Sequence, residues 1–216
     1  MPKRVDPDIR REQIADAVID EIVEHGLRSV TLARIAARTG LTIGSIRHYF
    51  GDTIGEVMRF TLSVLMQRAA RRATTMSDDP VARIVDVIVF AAPTSHPERR
   101  ENIALIEYRV MARTDPELAA DIAAIALEGA GVIHSLLRDA LADRMIDEEA
   151  LRREALLLLT LVEGFSCSAA LFSAPLHETD VRAVAAATMH RLRNAYPPVE
   201  ETAEDAVTSP ARARQR

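Results

Sequence analysis

The chain has 216 residues, enough for one large or two small domains, and 48% of them are hydrophobic, which provides material for a buried core. Aromatic residues are only 4% and tryptophan is absent, which argues against an aromatic-rich β-sandwich, and the single cysteine, Cys167, excludes an internal disulfide framework or a cysteine-based zinc site. The formal net charge is −5, yet basic side chains outnumber acidic ones from Met1 to Ala73, which indicates a local anion-binding surface.

The sequence carries no signal for export or membrane insertion. Its first six residues lack the apolar segment of a signal peptide. No uncharged apolar run reaches the roughly 20 residues that span a bilayer. We therefore expect a cytoplasmic protein with no membrane partner.

Helical periodicity, capping residues and proline punctuation recur along the chain and predict an all-α fold of about nine helices. No window shows the alternation of a strand. The predicted helices cover residues 8–25, 32–39, 43–50, 53–74, 80–92, 96–113, 116–144, 147–173 and 178–196. The remaining residues, from 197 to 216, mix charge with small side chains and predict a disordered tail.

Two of the short helices are joined by a turn at Gly40, which can adopt the positive φ that ends a helix. Thr42 is placed to cap the second helix, which buries Ile46 and Phe50. Arg47 and His48 then project outward. Two short helices, a glycine turn and a basic second helix are typical of a helix-turn-helix.

The stretch from residue 8 to residue 60 resembles the DNA-binding region of the tetracycline-repressor (TetR) family. The resemblance lies in Gly26 before a threonine-capped helix, in Ile35-Ala36 followed by Gly40, and in the pattern Gly44-x-Ile46-x-x-Tyr49-Phe50. Two residues depart from the family pattern: Arg47 stands where tyrosine is frequent, and Thr53 where lysine is frequent. Arg47 could therefore supply a charge lost at Thr53 and also contact guanine.

The resemblance implies a homodimeric transcriptional regulator, usually a repressor, that binds a palindromic operator in double-stranded DNA and responds to a small-molecule effector. It implies a helix-turn-helix DNA-binding domain at 1–52, a connecting helix at 53–76, and a ligand-sensing and dimerisation domain at 77–196. It also implies no enzymatic activity, and we expect no cofactor and no metal. The expected DNA-binding residues are Thr31, Thr42, Ile43, Gly44, Ser45, Arg47, His48, Tyr49 and Thr53.

The C-terminal helices carry the candidates for the two remaining sites. Residues 155–172 are apolar almost all round, so this helix must be buried on more than one side, by its own bundle or by a partner chain. Candidates for the dimer interface are Leu157, Leu161, Gly164, Ser168, Ala169, Val184, Thr188, Met189 and Leu192. Candidates for the ligand pocket are Phe90, Tyr108, Met111, Ile133, Leu137, Glu163 and Phe165.

Several assignments stay open on sequence grounds. Glu163 interrupts the apolar run, and it either recognises a ligand or pairs with Arg109 or another group. Basic residues near the N-terminus are either DNA contacts or solvated charges: Lys3, Arg4, Arg10 and Arg11. A helical enzyme or a structural adaptor is the alternative function, although the sequence has no metal-binding histidine spacing, no glycine-rich phosphate loop and no nucleophile elbow.

Overall fold

The computed structural model describes residues 6–172 and 176–199, and within these ranges the chain forms nine α-helices and one 3₁₀ turn. The N-terminal helices are α1 (Pro7–His25), α2 (Leu32–Thr39), α3 (Ile43–Phe50) and α4 (Ile54–Ala73), with the 3₁₀ turn at Leu27–Ser29. The remaining helices are α5 (Pro80–Ala91), α6 (His96–Ala112), α7 (Pro116–Ala140), α8 (Glu148–Leu171) and α9 (Glu178–Ala195). The all-α prediction is confirmed.

The starts of the helices agree with the predicted caps. Side-chain oxygens accept amide N–H groups at the first turns of seven helices, which satisfies donors that a helix cannot pair internally. The capping residues are Asp6, Thr31, Thr42, Thr53, Asp79, Asp115 and Asp147. Proline occupies the first turn of α1, α5, α6 and α7, where its missing N–H costs nothing.

One helix boundary was predicted wrongly. We expected α7 to continue to about residue 144, but it ends at Ala140. The Arg193 guanidinium donates to the Ala140 carbonyl at 2.6 Å and pairs with Asp143 at 2.6 Å. A side chain from α9 thus takes up a carbonyl at the end of α7, which the local sequence of α7 could not reveal.

The first three residues of the predicted tail make backbone contacts with the rest of the chain. The Met145 N–H donates to the Pro197 carbonyl at 2.8 Å, and the Val199 N–H donates to the Asp143 carbonyl at 2.9 Å. Residues 197–199 therefore pair with the loop between α7 and α8. The rest of the predicted tail, residues 200–216, lies outside the described residues.

Apolar side chains form two separate cores. The first joins α1 to α4 with the inner face of α6 and the first part of α7, and Ile35, Ile46 and Tyr108 are fully buried in it. The second joins α5, the last part of α7, α8 and α9, and Ile88, Leu158 and Met189 are buried in it. The first core includes helices from beyond the predicted connecting helix, so the DNA-binding module shares its interior with the C-terminal region.

Two helices remain largely uncovered in the single chain. By length and composition alone, α7 and α8 would be apolar enough to cross a membrane. This finding qualifies the expectation that no segment of the chain is long and apolar enough to span a bilayer. Such helices are weak evidence for a membrane, because helices that pack against other protein pass the same test. Both also carry acidic residues beyond their first turns: Asp121, Glu128 and Asp139 on α7, and Glu154 and Glu163 on α8.

Candidate nucleic-acid interface

Three threonines begin the three successive helices of the candidate interface. Each hydroxyl accepts the amide of the residue three positions later: Thr31 from Arg34 at 3.2 Å, Thr42 from Ser45 at 3.1 Å, and Thr53 from Glu56 at 3.4 Å. These bonds confirm the predicted capping. The three helix N-termini carry partial positive charge, which favours an anion placed nearby.

The turn between α2 and α3 depends on Gly40. Its φ of 68° lies in the left-handed region, which a side chain would strain. Its neighbour Leu41 packs against the N-terminal core, and Thr42 starts α3 two residues after the glycine. The turn therefore fixes the direction in which α3 leaves α2, as a helix-turn-helix requires.

The second helix of this motif, α3, presents one face to the core and another to solvent. Ile46 is fully buried and Phe50 is 8% exposed. The exposed positions are Ile43, Gly44, Arg47 and His48, while Ser45 and Tyr49 are half-buried. The residues predicted to contact DNA on α3 therefore lie on or beside its outer face.

Arg47 lies in the second turn of α3 and has about half of its side chain in solvent. Its Nε is 3.6 Å from Asp52 Oδ1, and Asp52 is almost fully exposed. An exposed pair of this kind contributes little to stability, so it does not hold Arg47 away from another partner. Next to it, the His48 and Tyr49 rings meet edge to face at 5.4 Å.

A buried carboxylate that the sequence analysis missed holds α2 against α1. Glu21 has only 3% of its side chain exposed, and it pairs at 2.8 Å with both Arg34 and Arg38. The Ser29 hydroxyl donates to it at 2.8 Å. Glu21 lies beside the apolar stripe of α1, and that position next to Ile22 was the only signal available in the sequence.

The ionised form of Glu21 is favoured by its partners. Burial raises the pKa of this carboxyl, but hydrogen bonds from Arg38 and Ser29 and the charges of Arg34 and His25 outweigh burial, and the pKa lies below the usual value for glutamate. Glu21 therefore stays charged at neutral pH and fixes two arginines of α2.

The basic residues near the N-terminus divide into different roles. Arg11 donates to the Tyr49 carbonyl at 2.9 Å, and its guanidinium lies 5.6 Å from the Phe50 ring centre and 5.7 Å from that of Phe60. Arg11 therefore supports the end of α3. Arg10 bonds Gln13 at 3.0 Å on the surface, whereas Lys3 and Arg4 lie outside the described residues.

The structure distributes the seven pocket candidates among different environments. Tyr108 is fully buried, and its hydroxyl donates to the Met58 carbonyl at 2.9 Å. Met111 packs on the same first core, whereas Ile133 and Leu137 are buried in the second. Phe90 lies under the Arg72 guanidinium at 5.2 Å, so these five residues do not surround one common space.

Glu163 is paired with Arg109, one of the two possibilities that the sequence left open. The pair belongs to a polar seam between α6 and α8, defined by three sets of contacts. The Asn102 side chain donates to the Ser166 carbonyl at 2.9 Å and accepts the Ser166 hydroxyl at 2.8 Å. Arg99 donates to the carbonyls of Ala169 and Phe172.

A groove of about 470 Å³ runs between α8 and α9. Predicted interface residues line it: Leu157, Leu161, Gly164, Ser168, Val184, Thr188 and Leu192, together with the pocket candidate Phe165. Leu157 is 60% exposed, whereas Ala169 and Met189 are buried within their own chain. Met189 lies in the second core, and Ala169 lies near the α6–α8 seam, where Arg99 donates to its carbonyl.

Ala169 and Met189 are therefore covered by their own chain, and the rest of the predicted interface stays a prediction. Thr188 and Leu192 reach the groove but are themselves mostly buried, while the exposed Leu156, Leu171 and Phe172 were not named. A helix that is apolar all round gives no sequence signal for which side its own chain covers.

The helix-turn-helix has known relatives. Residues 14–53 match the model of the bacterial regulatory proteins of the tetR family. The transcriptional regulator BetI of Burkholderia mallei is 41% identical over 91 residues, which are 41% of this chain and 47% of BetI. PksA of Bacillus subtilis is 28% identical over 116 residues, 52% of this chain and 56% of PksA. The chain thus spans about half the length of the curated relatives it matches.

Solved structures share the fold over most of the chain. A Rhodococcus transcriptional regulator superposes with a TM-score of 0.73 at 22% identity, covering 88% of this chain and 99% of that one. A regulator from Saccharomonospora viridis, solved with choline, superposes with a TM-score of 0.69 at 15% identity, covering 85% and 96%. The relatives are named as regulators, which agrees with the expectation that the chain is not an enzyme. Residues 14–53 thus carry a helix-turn-helix that matches the tetR family, and the described chain shares its all-α fold with solved transcriptional regulators.

Proposed function

We propose that this chain is a homodimeric, cytoplasmic DNA-binding transcriptional regulator, a repressor that a small-molecule effector releases from a palindromic operator. The observation that carries the proposal is the outer face of α3, where Arg47 and His48 are exposed on the second helix of a family-matched helix-turn-helix. An α-helix fits the major groove, where arginine forms a bidentate contact with guanine.

Contacts to phosphate are assigned to the helix starts. Thr31, Thr42 and Thr53 place their hydroxyls beside free amides at the N-termini of α2, α3 and α4. Such contacts hold the module on the duplex, and base contacts from Arg47 and His48 discriminate between sequences. Gly44 and Ser45 are small enough to let α3 approach closely, and the Tyr49 hydroxyl is a further phosphate contact.

The proposed dimer uses the α8–α9 groove. Leu156 and Leu157 are 65% and 60% exposed on α8, and an apolar surface of this kind is usually covered by another protein surface. Gly164 lies in the groove, and no atom of the described chain would come within 4 Å of a Cβ added there. Glycine in a helix interior costs about 1 kcal/mol relative to alanine, so its presence favours close approach of a second helix.

The proposed effector acts at the α6–α8 seam. Arg109 and Glu163 remain 30% and 44% exposed, and a charged or hydrogen-bonding small molecule could compete for either partner. Because α6 also contacts α1, a shift at this seam reaches the DNA-binding module. The Glu107 carboxylate accepts the Leu27 N–H at 3.1 Å, and Tyr108 bonds Met58 on α4. The effector would thus change the spacing of the two α3 helices by population shift.

A mobility-shift assay with the DNA that flanks the chain's own gene tests the function. We expect a shifted complex that weakens steeply as salt rises, because protein–phosphate contacts release counterions. A duplex of unrelated sequence is the control and should bind more weakly at the same salt. If no salt-sensitive complex forms with any fragment, the DNA-binding proposal is wrong.

A further inference from the structure

The first turn of α3 carries an exposed apolar side chain that packs in neither core of the chain. Ile43 is 38% exposed and belongs to neither of the two cores. From Gly26 to Arg109, a stretch that the structure describes completely, Ile43 is the only large hydrophobic residue that is exposed. An exposed isoleucine also has only a moderate helix propensity, so the position is not explained by the stability of α3.

The polar side chains on either side of Ile43 form local hydrogen bonds at the helix start. The Thr42 hydroxyl accepts the Ser45 amide at 3.1 Å, and the Thr42 and Ser45 hydroxyls form one hydrogen bond with each other at 2.9 Å. Gly44 is exposed and has no side chain. Ile43 is therefore the largest exposed side chain on this turn, and its exposed part is open to an approaching base edge.

The two turns of α3 consequently differ in chemistry. The second turn offers the cationic Arg47 and the imidazole of His48, which suit the polar edges of bases. The first turn offers branched hydrocarbon. In the major groove only thymine presents an apolar group, the C5-methyl, and apolar side chains contact it.

We infer that Ile43 contacts the C5-methyl group of a thymine in each half-site, so that the first turn of α3 selects thymine through an apolar contact. The inference rests on the proposed DNA-binding function and adds a base preference to it. Burial of one methyl group is worth about 0.8 kcal/mol, which corresponds to about a fourfold change in affinity per half-site.

The test compares thymine with deoxyuridine, which differs only by the missing methyl group. A binding site is first selected from random duplexes with the purified full chain, and each thymine is then replaced singly by deoxyuridine. Fluorescence anisotropy gives the affinity of each duplex. At one thymine per half-site we expect the native chain to lose about fourfold in affinity, and Ile43→Ser to lose nothing further on the same replacement.

Two controls separate this contact from a general effect. Ile43→Val keeps a branched apolar side chain and should keep the deoxyuridine effect. Ile9 is 55% exposed on α1, and Ile9→Ser removes the same hydrocarbon from the same module without altering α3. It should also keep the effect. The thermal midpoint of Ile43→Ser should match that of the native chain, since the side chain is not part of a core.

The outcomes distinguish this inference from the proposed function. If no duplex is selected, DNA binding itself fails. If a site is selected and bound tightly, but no deoxyuridine replacement acts more strongly on the native chain than on Ile43→Ser, the methyl contact is overturned while the regulator proposal stands.

Discussion

Two arginines of the helix-turn-helix region show how one residue type serves different purposes. Arg11 is covered by aromatic rings and bonded to the backbone at the end of α3, whereas Arg47 points into solvent beside Asp52. Both add one positive charge to the excess of basic over acidic side chains between Met1 and Ala73. Only their surroundings assign Arg11 to the stability of the module and leave Arg47 available to DNA.

Arg47→Ala should weaken binding to the selected site and leave the fold intact. Loss of a bidentate arginine–guanine contact costs about 1–3 kcal/mol, which is roughly a 5- to 150-fold loss of affinity. An exposed substitution changes the free energy of unfolding by no more than about 0.5 kcal/mol. The measurements are a mobility-shift titration and a thermal melt of the same preparation.

Arg11→Ala is the matched control for this substitution. It removes a hydrogen bond worth about 1 kcal/mol and two cation–π contacts, so its thermal midpoint should fall clearly. If Arg47→Ala lowers the midpoint as much as Arg11→Ala does, Arg47 is structural and its assignment to DNA is wrong.

Among the helices, α1 is the element that holds α2, and it does so through one buried charge. Glu21 on α1 engages Arg34 and Arg38 from α2, and Ser29 from the intervening turn. Apolar contact alone does not fix the rotation of a short amphipathic helix, whereas paired arginines at defined positions do. Since α2 sets the position of α3, this ionic contact supports the recognition face at a distance.

The stability of the chain should therefore depend on the charge of Glu21. Its pKa in the folded chain lies below the value of about 4.3 expected for unfolded glutamate. Its contribution is thus complete above that value and is lost as the pH falls through the folded pKa. Glu21→Gln should reduce the free energy of unfolding at pH 7 by about 1–3 kcal/mol and flatten the decline in acid.

Urea unfolding at several pH values between 3 and 7 measures both effects. Glu24 is an exposed partner of the same Arg38 and provides the control, since Glu24→Gln should change stability less at every pH. Equal effects of the two substitutions would contradict a special role for the buried carboxylate.

Among the described residues, α7 contributes to both apolar cores, a polar seam lies between α6 and α8, and an open groove lies between α8 and α9. A polar seam can separate at lower cost than an apolar core, because water replaces the hydrogen bonds that are broken. This difference supports the proposal that an effector acts at the seam and that a second chain packs on the groove.

Gly164→Leu should disrupt the dimer without disrupting the chain. Its Cβ would enter open space in the single chain, so a side chain harms only a surface that approaches from outside. We expect the molar mass from light scattering at micromolar concentration to fall from two chains to one, with the helical circular dichroism unchanged. The affinity for a palindromic site should fall as the dimer is lost, because binding two half-sites together requires two linked DNA-binding modules.

Gly129→Leu on α7 is the matched control. Gly129 also lies inside a helix, and no atom of the described chain would contact its Cβ, but it is not part of the groove. This variant should keep the mass of two chains. A native chain that already has the mass of one chain would contradict the dimer outright.

The sequence by itself determined the elements and the motif. Caps and breaks act within a few residues, so Thr31, Thr42, Gly40 and the prolines were sufficient to predict the helices and the turn before α3. The outward direction of Arg47 also followed from helical spacing. These features depend on residues that are close in sequence, so the sequence alone is enough to predict them.

Only the tertiary structure decided which groups meet. It paired Glu163 with Arg109 and buried Met189 and Ala169 within their own chain. It ended α7 at Ala140, whose carbonyl accepts from Arg193, and placed Glu21 between two arginines. All of these contacts join residues far apart in sequence or choose one face of a helix that is apolar all round. Hydrophobic periodicity identifies the buried face of a helix only where the opposite face is polar. For a helix that is apolar all round, the packing of the helices against each other decides which side is buried.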